Sequence, residues 1–600
     1  MPDATQPATA GAADPRQPRP VRIANCSGFF GDRVDAAREQ VQGGPIDVLT
    51  GDWLAELTML ILVRQRLKRG AGAGFARTFL TQMRDVLGTC LDRGIRVVSN
   101  AGGLDPDGCA QALRELAAEQ GLSPRIAVVT GDDLSARPEL LGDLVNVNTG
   151  ERLGDLGLSP VTANAYLGAF GIAAALQAGA DVVITGRVTD AALTVGPAIW
   201  WHGWTHQDLD PLAGAVAAAH VIECGAQACG GNYAFFTEVP DMSHLGFPIA
   251  EVAADGSSVI TKHPGTGGQV SVGTVTAQLL YEVDTPHYLG PDVVARFDTL
   301  TLEQVGPDRV LISGVRGDPP PDTLKVAVTT LGGFRNTIGV MLTGLDLDAK
   351  ADLVQRQLAE TLAGVARHSF TLVSHGPLQV ELRITAIDPD ATRVGRAFSN
   401  RVIELTLASY AGFYPTAPPA DASPYSIYWP TLVPAARVEQ VVSLDGVEVA
   451  RVPSLSPLAG QPPRVDAPAA PAAAVPAGPT APAPLGTLVG ARSGDKGGNA
   501  NVGLWVRDEA AYPWLLATVT PDAVRGWVPA AGDKRVDVIA FPTLRAVNVV
   551  VWEHLGRGVA DNLGLDPQAK GLGEWVRAQP VDVPVALLPG TGSADPPGPA

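Results

Sequence analysis

The stretch DVVITGRVTD, Asp181 to Asp190, decides the fold. Its first half, Asp181 to Thr185, is a run of Val and Ile with no polar face, as a strand must be when helices cover both sides of a parallel sheet. Its second half turns polar at once, with Gly186, Arg187 and Asp190. Four earlier segments repeat the pattern. Val21 to Asn25 runs into SGFFGDR (Ser27 to Arg33), and Ile46 to Leu49 into TGDW (Thr50 to Trp53). Ile95 to Ser99 runs into SNAGG (Ser99 to Gly103), and Ile126 to Thr130 into TGDD (Thr130 to Asp133). Helix-period segments separate them, so the N-terminal region reads as a layered α/β domain on a mainly parallel sheet.

In such a sheet the carboxyl ends of the strands line one edge, and ligands bind there. The five loops are expected to converge on one cleft. Asp32, Asp52, Asp190 and, from a later helix end, Glu223 are the candidate proton-transfer groups. Asn100, Gly102, Asp132 and Arg187 are the candidate binding groups. For any single loop, Gly-Asp after a strand is also ordinary turn and helix-cap chemistry.

Two further glycine-rich loops carry charge. In KHPGTGG, Lys262 and His263 stand beside Gly265, Gly267 and Gly268, directly before a helix-like run, which reads either as an anion site or as a plain flexible loop. In ARSGDKGGNANVGLW, Arg492, Ser493, Asp495 and Lys496 lie between two strand-like runs. They suit a hairpin tip that reaches into the first domain's cleft or a neighbouring subunit.

The 600 residues hold 44 Lys+Arg against 62 Asp+Glu, a net charge of −18, which excludes a free-standing nucleic-acid binder. Five cysteines in this length read as reduced thiols rather than a disulfide framework, and with no signal-like leader in residues 1–20 and no long apolar run, a cytoplasmic protein without a membrane span is expected. His220, Cys224 and Cys229 give H-x3-C-x4-C but lack a fourth ligand for a closed zinc site, and Mg²⁺ at Asp132 and Asp133 is the less favoured reading; no metal is expected. Cys26, at a strand end, reads better as a core thiol than as a nucleophile. His202 and His206 lie in WWHGWTH, an aromatic loop rather than a metal helix. G-x-S-x-G, H-E-x-x-H and a strand-borne G-x-G-x-x-G are absent.

The expected organisation is a disordered tail at 1–20, an α/β region at 21–455, a Pro/Ala-rich linker at 456–484, a small α+β module at 485–577 and a second tail at 578–600. Within the α/β region, Asp346 to Val452 reads as α+β packed on the first part. The module's strand-like runs are Gly486 to Arg492, Ala500 to Val506, Arg535 to Phe541 and Ala546 to Val551. Helix-like runs at Pro513 to Leu516, Pro521 to Trp527 and Ala569 to Val576 suit a ferredoxin-like sandwich.

The words SGFFGDR, GDWLAELTM, SNAGGL, VTGDD, ANAYLGAFGI, ITGRVTDAAL, ECGAQACGGNY and HPGTGGQVSVGTVTAQLLYEV together resemble the acyclic terpene utilisation protein A family. GARSGDKGGNANVGLW and EHLGRGVADNLGLDPQAKGLGEW resemble the ferredoxin-like module that accompanies it. The resemblance implies a place in acyclic terpene or branched acyl-CoA catabolism, and it carries over no catalytic residue. The expectation is an enzyme of hydratase or lyase type on an acyl-CoA thioester or organic acid, with no cofactor beyond a CoA thioester as ligand. The alternative is a non-catalytic scaffold or effector-binding partner of a biotin-dependent acyl-CoA carboxylase. A homo-oligomer is expected for a large glycine-rich α/β protein.

Overall fold

The computed structural model describes residues 19–454 and 474–589. Five parallel strands form its centre: β1 (Val21–Asn25), β2 (Val48–Gly51), β3 (Arg96–Ser99), β4 (Ile126–Thr130) and, after β5 (Pro160–Ala165) leaves for another sheet, β6 (Val182–Thr185). Their spatial order is β1-β2-β3-β6-β4, all parallel. Antiparallel strands extend both edges to eleven. β7 (Pro248–Val252) and β8 (Ser258–Lys262) add beside β1, and the hairpin of Glu439–Leu444 and Val447–Pro453 adds beside β4.

Alternate residues of the central strands divide between two cores. Ile23, Val48, Val98, Ala127, Val129 and Val183 face one cluster, whereas Ala24, Leu49, Val97, Ile126, Val128 and Ile184 face the other. That period of two, apolar on both sides, is why the strands read as unbroken Val/Ile runs. Helices Phe170–Gln177, Ala192–His202 and Leu209–Ile222 cover the first face, and Ala36–Gly43, Arg77–Arg93 and Pro106–Glu119 the second.

The Asp346–Val452 stretch does not stand apart. Its first part joins β5 and the 21-residue strand Thr323–Thr343 in a five-stranded sheet, while its closing hairpin completes the large one. The C-terminal module is a four-stranded antiparallel sheet, ordered Val489–Lys496, Asn499–Val506, Ala546–Val551, Val536–Phe541, with helices Tyr512–Thr518, Pro521–Trp527 and Leu572–Arg577. Two expected boundaries move. Thr480–Pro484, placed in the linker, pairs as a strand with Pro580–Pro584, placed in the tail. Prolines are tolerated there because a two-stranded ribbon has open edges, and Val583 still buries its side chain in the module core. The tail expected at 1–20 lies outside the described residues except for Arg19, ion-paired with Asp47, and Pro20. The linker core and the last residues likewise lie outside them.

Candidate functional site

At the carboxyl edge of the central strands, side chains from different loops tie to one another. Asp52, after β2, accepts from Asn100 Nδ2, after β3, at 2.6 Å and from the Leu54 amide at 2.9 Å, while Asn100 Oδ1 accepts from the Trp53 amide. Asp132, after β4, accepts from the Arg187 amide at 2.8 Å and from Asn164 of β5 at 2.9 Å. The Arg187 guanidinium, after β6, donates to the Leu54 carbonyl at 2.8 Å and to Asp190 at 2.9 Å, and lies 4.3 Å from the ring centre of Tyr166. Four loops are thereby locked into one rigid rim. Burial raises the Asp132 carboxyl to about 6. Burial, and then the charge of Asp190, raise Asp52 well above the carboxylate range.

A second group of residues lies beside the rim at the end of helix Leu209–Ile222, linked to it through the charge of Asp190, and rim and group together are the chamber residues. Buried His220 contacts the Tyr281 carbonyl through Nε2 and Glu223 through Nδ1, each at 3.0 Å. A carbonyl can only accept, so the hydrogen-bond pattern assigns the ring proton to Nε2, and Nδ1 of the neutral ring must accept. Glu223 is then the donor, a protonated acid. The electrostatics agree: burial and the nearby Lys496 cation lower His220 to about 4, while burial and the charges of Asp190 and Glu282 push Glu223 well upward. A 3.0 Å His–Glu contact could be read as an ion pair; both directions describe a neutral pair instead. The other Glu223 oxygen, Oε2, is buried and has no hydrogen-bond partner among the described residues.

The C-terminal module supplies cations. Arg492 stacks 4.0 Å from the ring centre of Tyr281 and bonds Gln227. Lys570 bonds the Tyr281 hydroxyl and lies 3.5 Å from Glu282 and 3.6 Å from Asp495, and Lys496 lies 5.7 Å from the ring centre of Tyr288. Docking is fixed by two fully buried asparagines. Asn501 accepts from the Glu282 amide at 2.8 Å and donates to the Leu280 carbonyl, and Asn548 donates to the Val283 carbonyl at 2.6 Å. Close approach needs glycine: a Cβ on Gly494 would stand 2.4 Å from the Tyr281 ring, and one on Gly503 2.4 Å from Leu280.

Of the residues singled out in the sequence, Asp52, Asn100, Asp132, Arg187, Asp190, Glu223, Arg492, Asp495 and Lys496 come together here. Others are engaged elsewhere. Asp32 accepts from the Gly28 and Arg33 amides and braces its own turn. Gly102 is close-packed, since a Cβ there would stand 2.5 Å from the Thr185 carbonyl oxygen. Lys262 donates to the Thr266 carbonyl and pairs with Asp308 at 3.2 Å, and His263 contacts the Gln40 carbonyl at 2.9 Å. Gly265 and Gly268 turn that loop at positive φ, and a Cβ on Gly267 would meet the His244 carbonyl oxygen at 2.4 Å. The loop's polar groups are thus spent on its own closure rather than presented to an anion. Ser493 bridges the Lys570 carbonyl and the Gly573 amide, and with Arg492 it lies within a strand, not at the hairpin tip, which Gly497 and Gly498 form.

Tyr281, Glu282, Tyr288 and Lys570 belong to the chamber without having been marked in the sequence. The available signal was Glu282 breaking an apolar run, LLYEV, and Lys570 within QAKGLG. Cys26 is buried beside Gln82 with its thiol pushed up by burial, as a core cysteine would be. His202 contacts the Val252 carbonyl, and His206 lies against the Phe170 ring. Among the described residues no three His, Cys, Asp or Glu side chains converge on a metal-sized point. No helix among them is long and apolar enough to cross a membrane.

A family model described as acyclic terpene utilisation family protein AtuA matches residues 21–444. A second, described as the AtuA ferredoxin-like domain, matches residues 483–582. No curated protein matches the chain.

Proposed function

Since the chain belongs to the acyclic terpene utilisation family AtuA, we propose that it is an enzyme of that utilisation, working by general acid–base chemistry on a branched acyl-CoA thioester or related carboxylic acid. The observation that carries this reading is Glu223: a largely buried acid held protonated beside a neutral histidine whose tautomer is fixed, with one oxygen unpartnered. An acid retained in its neutral form by its surroundings is what proton donation near neutral pH needs.

Asp190, ion-paired with Arg187 and about a third exposed, is the complementary carboxylate. In a dehydration or other elimination, Asp190 would take the proton next to the thioester or carboxyl carbon, and Glu223, its Oε1–H swung from His220 Nδ1 to the departing group, would protonate that group; hydration runs the same steps in reverse. Lys496 and Arg187 would hold the charge developing on the carbonyl oxygen. The C-terminal module would then be part of the active site, because Lys496 and Lys570 come from it.

A thermal-shift screen against acyl-CoA thioesters, free branched acids, nucleotides and divalent metals tests ligand class first, since a ligand of the native state raises Tm. Stabilisation by a branched thioester or acid, followed by turnover that Asp190→Asn and Glu223→Gln each abolish while affinity survives, would sustain the proposal. No shift with either class would overturn it. Co-purification with a biotinylated carboxylase at fixed stoichiometry would then favour the non-catalytic partner reading.

A further inference from the structure

A cavity of about 410 Å³ lies between the N-terminal region and the C-terminal module, and its lining includes none of the acids of the chamber. Its volume falls within the range of small-molecule sites. The body is apolar, with Tyr233, Val272, Leu302 and Leu544 around Trp505, whose ring stacks on Tyr233 at 6.2 Å.

The polar feature that points to a ligand is charge. The charges on the lining are Glu238, Arg507 and Arg545. Arg507 and Glu238 neutralise each other at 2.6 Å. Arg545 has no carboxylate partner among the described residues, which leaves the lining one positive charge in excess. Arg545 also holds a left-handed backbone, φ 50°, at the turn that closes strand Val536–Phe541 onto Ala546–Val551. An arginine with no counter-charge on the lining, in a chain of net charge −18, suits an anionic ligand.

We propose that this cavity is a second binding site, for a small monocarboxylate with an apolar body, the carboxylate on Arg545 and the body against Trp505 and Tyr233. Because strand Asn499–Val506 carries both Trp505 here and Asn501 at the docking contact with Leu280 and Glu282, occupancy would be felt at the junction of the two modules. The site is independent of the proposed acid–base chemistry, and its test reads binding alone.

Sodium octanoate serves as the probe, with octanol and octylamine as controls, in calorimetric titrations of the full chain. The expected result is saturable one-to-one binding of octanoate, at least tenfold weaker binding of both controls, and at least a tenfold loss in Arg545→Asn, asparagine being tolerant of the left-handed backbone. Leu302→Glu, which sets a like charge against the ligand's apolar body, tests the site without touching the turn and is expected to weaken octanoate at least tenfold. Glu223→Gln should bind octanoate as wild type does. Absence of saturable octanoate binding, equal binding of octanoate and octanol, or unchanged affinity in either cavity variant would overturn the proposal, as would loss of binding in Glu223→Gln.

Discussion

Two loops of this protein look alike in sequence and behave oppositely. Thr185–Asp190 and Lys262–Gly268 each combine glycine with a basic residue at a strand end. In the first, the cation reaches across loops: Arg187 touches the Leu54 carbonyl after β2, its amide holds Asp132 after β4, and Asp190 remains about a third exposed. In the second, Lys262 bonds four residues along its own chain and pairs with Asp308, and His263 is buried against Gly43 and Gly44. Composition is therefore a poor guide to a site. What separates the two is whether the polar groups bind across loops and leave capacity over, or close on themselves.

Four measurements would break or sharpen that contrast. The largest effect is expected at the chamber: Glu223→Gln should lower turnover on the substrate class found in the ligand screen by about 10²–10⁴-fold, with an unchanged Tm, as removal of a positioned proton donor does. Wild-type-like turnover would place the chemistry elsewhere.

The next effect is one of pH. Native Asp132, at about 6, binds its proton more tightly than an unfolded aspartate at 3.8, so its contribution to stability is fully present below about pH 4 and is lost as the pH rises through about 6. Asp132→Asn removes that loss, and the variant should gain on wild type by up to about 3 kcal/mol between about pH 4 and 7. Urea unfolding at both ends of that window reads it. His220 works in the other direction: lowered to about 4, it costs stability as the pH falls below its ordinary 6.5, and it does so equally in both proteins. A pH-independent difference between the two proteins would mean that Asp132 is ionised without penalty.

Gly503→Val should cost about 1–3 kcal/mol by overpacking against Leu280. Hydrogen exchange should speed up at the Leu280–Val283 amides while helix Arg77–Arg93 keeps its protection. Uniform loss of protection would show that the module and the N-terminal region unfold as one unit. The smallest effect is expected at the second loop. Lys262→Met should cost about 1–2 kcal/mol, because its partner Asp308 is about a third exposed and can return to water, and it should leave ligand affinity in the chamber unchanged. A tenfold loss of affinity would put the Lys262 loop back into the site.

The sheet was legible because β1, β2, β3, β4 and β6 are apolar on both faces, a pattern that local composition displays directly. The rim acids were legible because strand ends in such a sheet share an edge. Lys570 and Glu282 were not, since they meet across 288 residues of chain and neither lies next to a strand of the central sheet. The role of Glu223 was only half visible. Its spacing from His220 follows from the helix, but its protonation depends on the Tyr281 carbonyl, which arrives from a distant turn. The edge ribbon Thr480–Pro484 was hidden by its prolines, which mimic a linker in composition.

A chamber whose rim is built from residues 52–282 and which draws three more cations from residues 492–570 has a timetable. A ribosome must deliver nearly the whole chain before Lys496 can reach Tyr288 and Lys570 can reach Tyr281, so the N-terminal region has time to fold with Arg187 as the cation of its rim. Nascent and truncated chains carry the scaffold with Arg187 but without Arg492, Lys496 and Lys570.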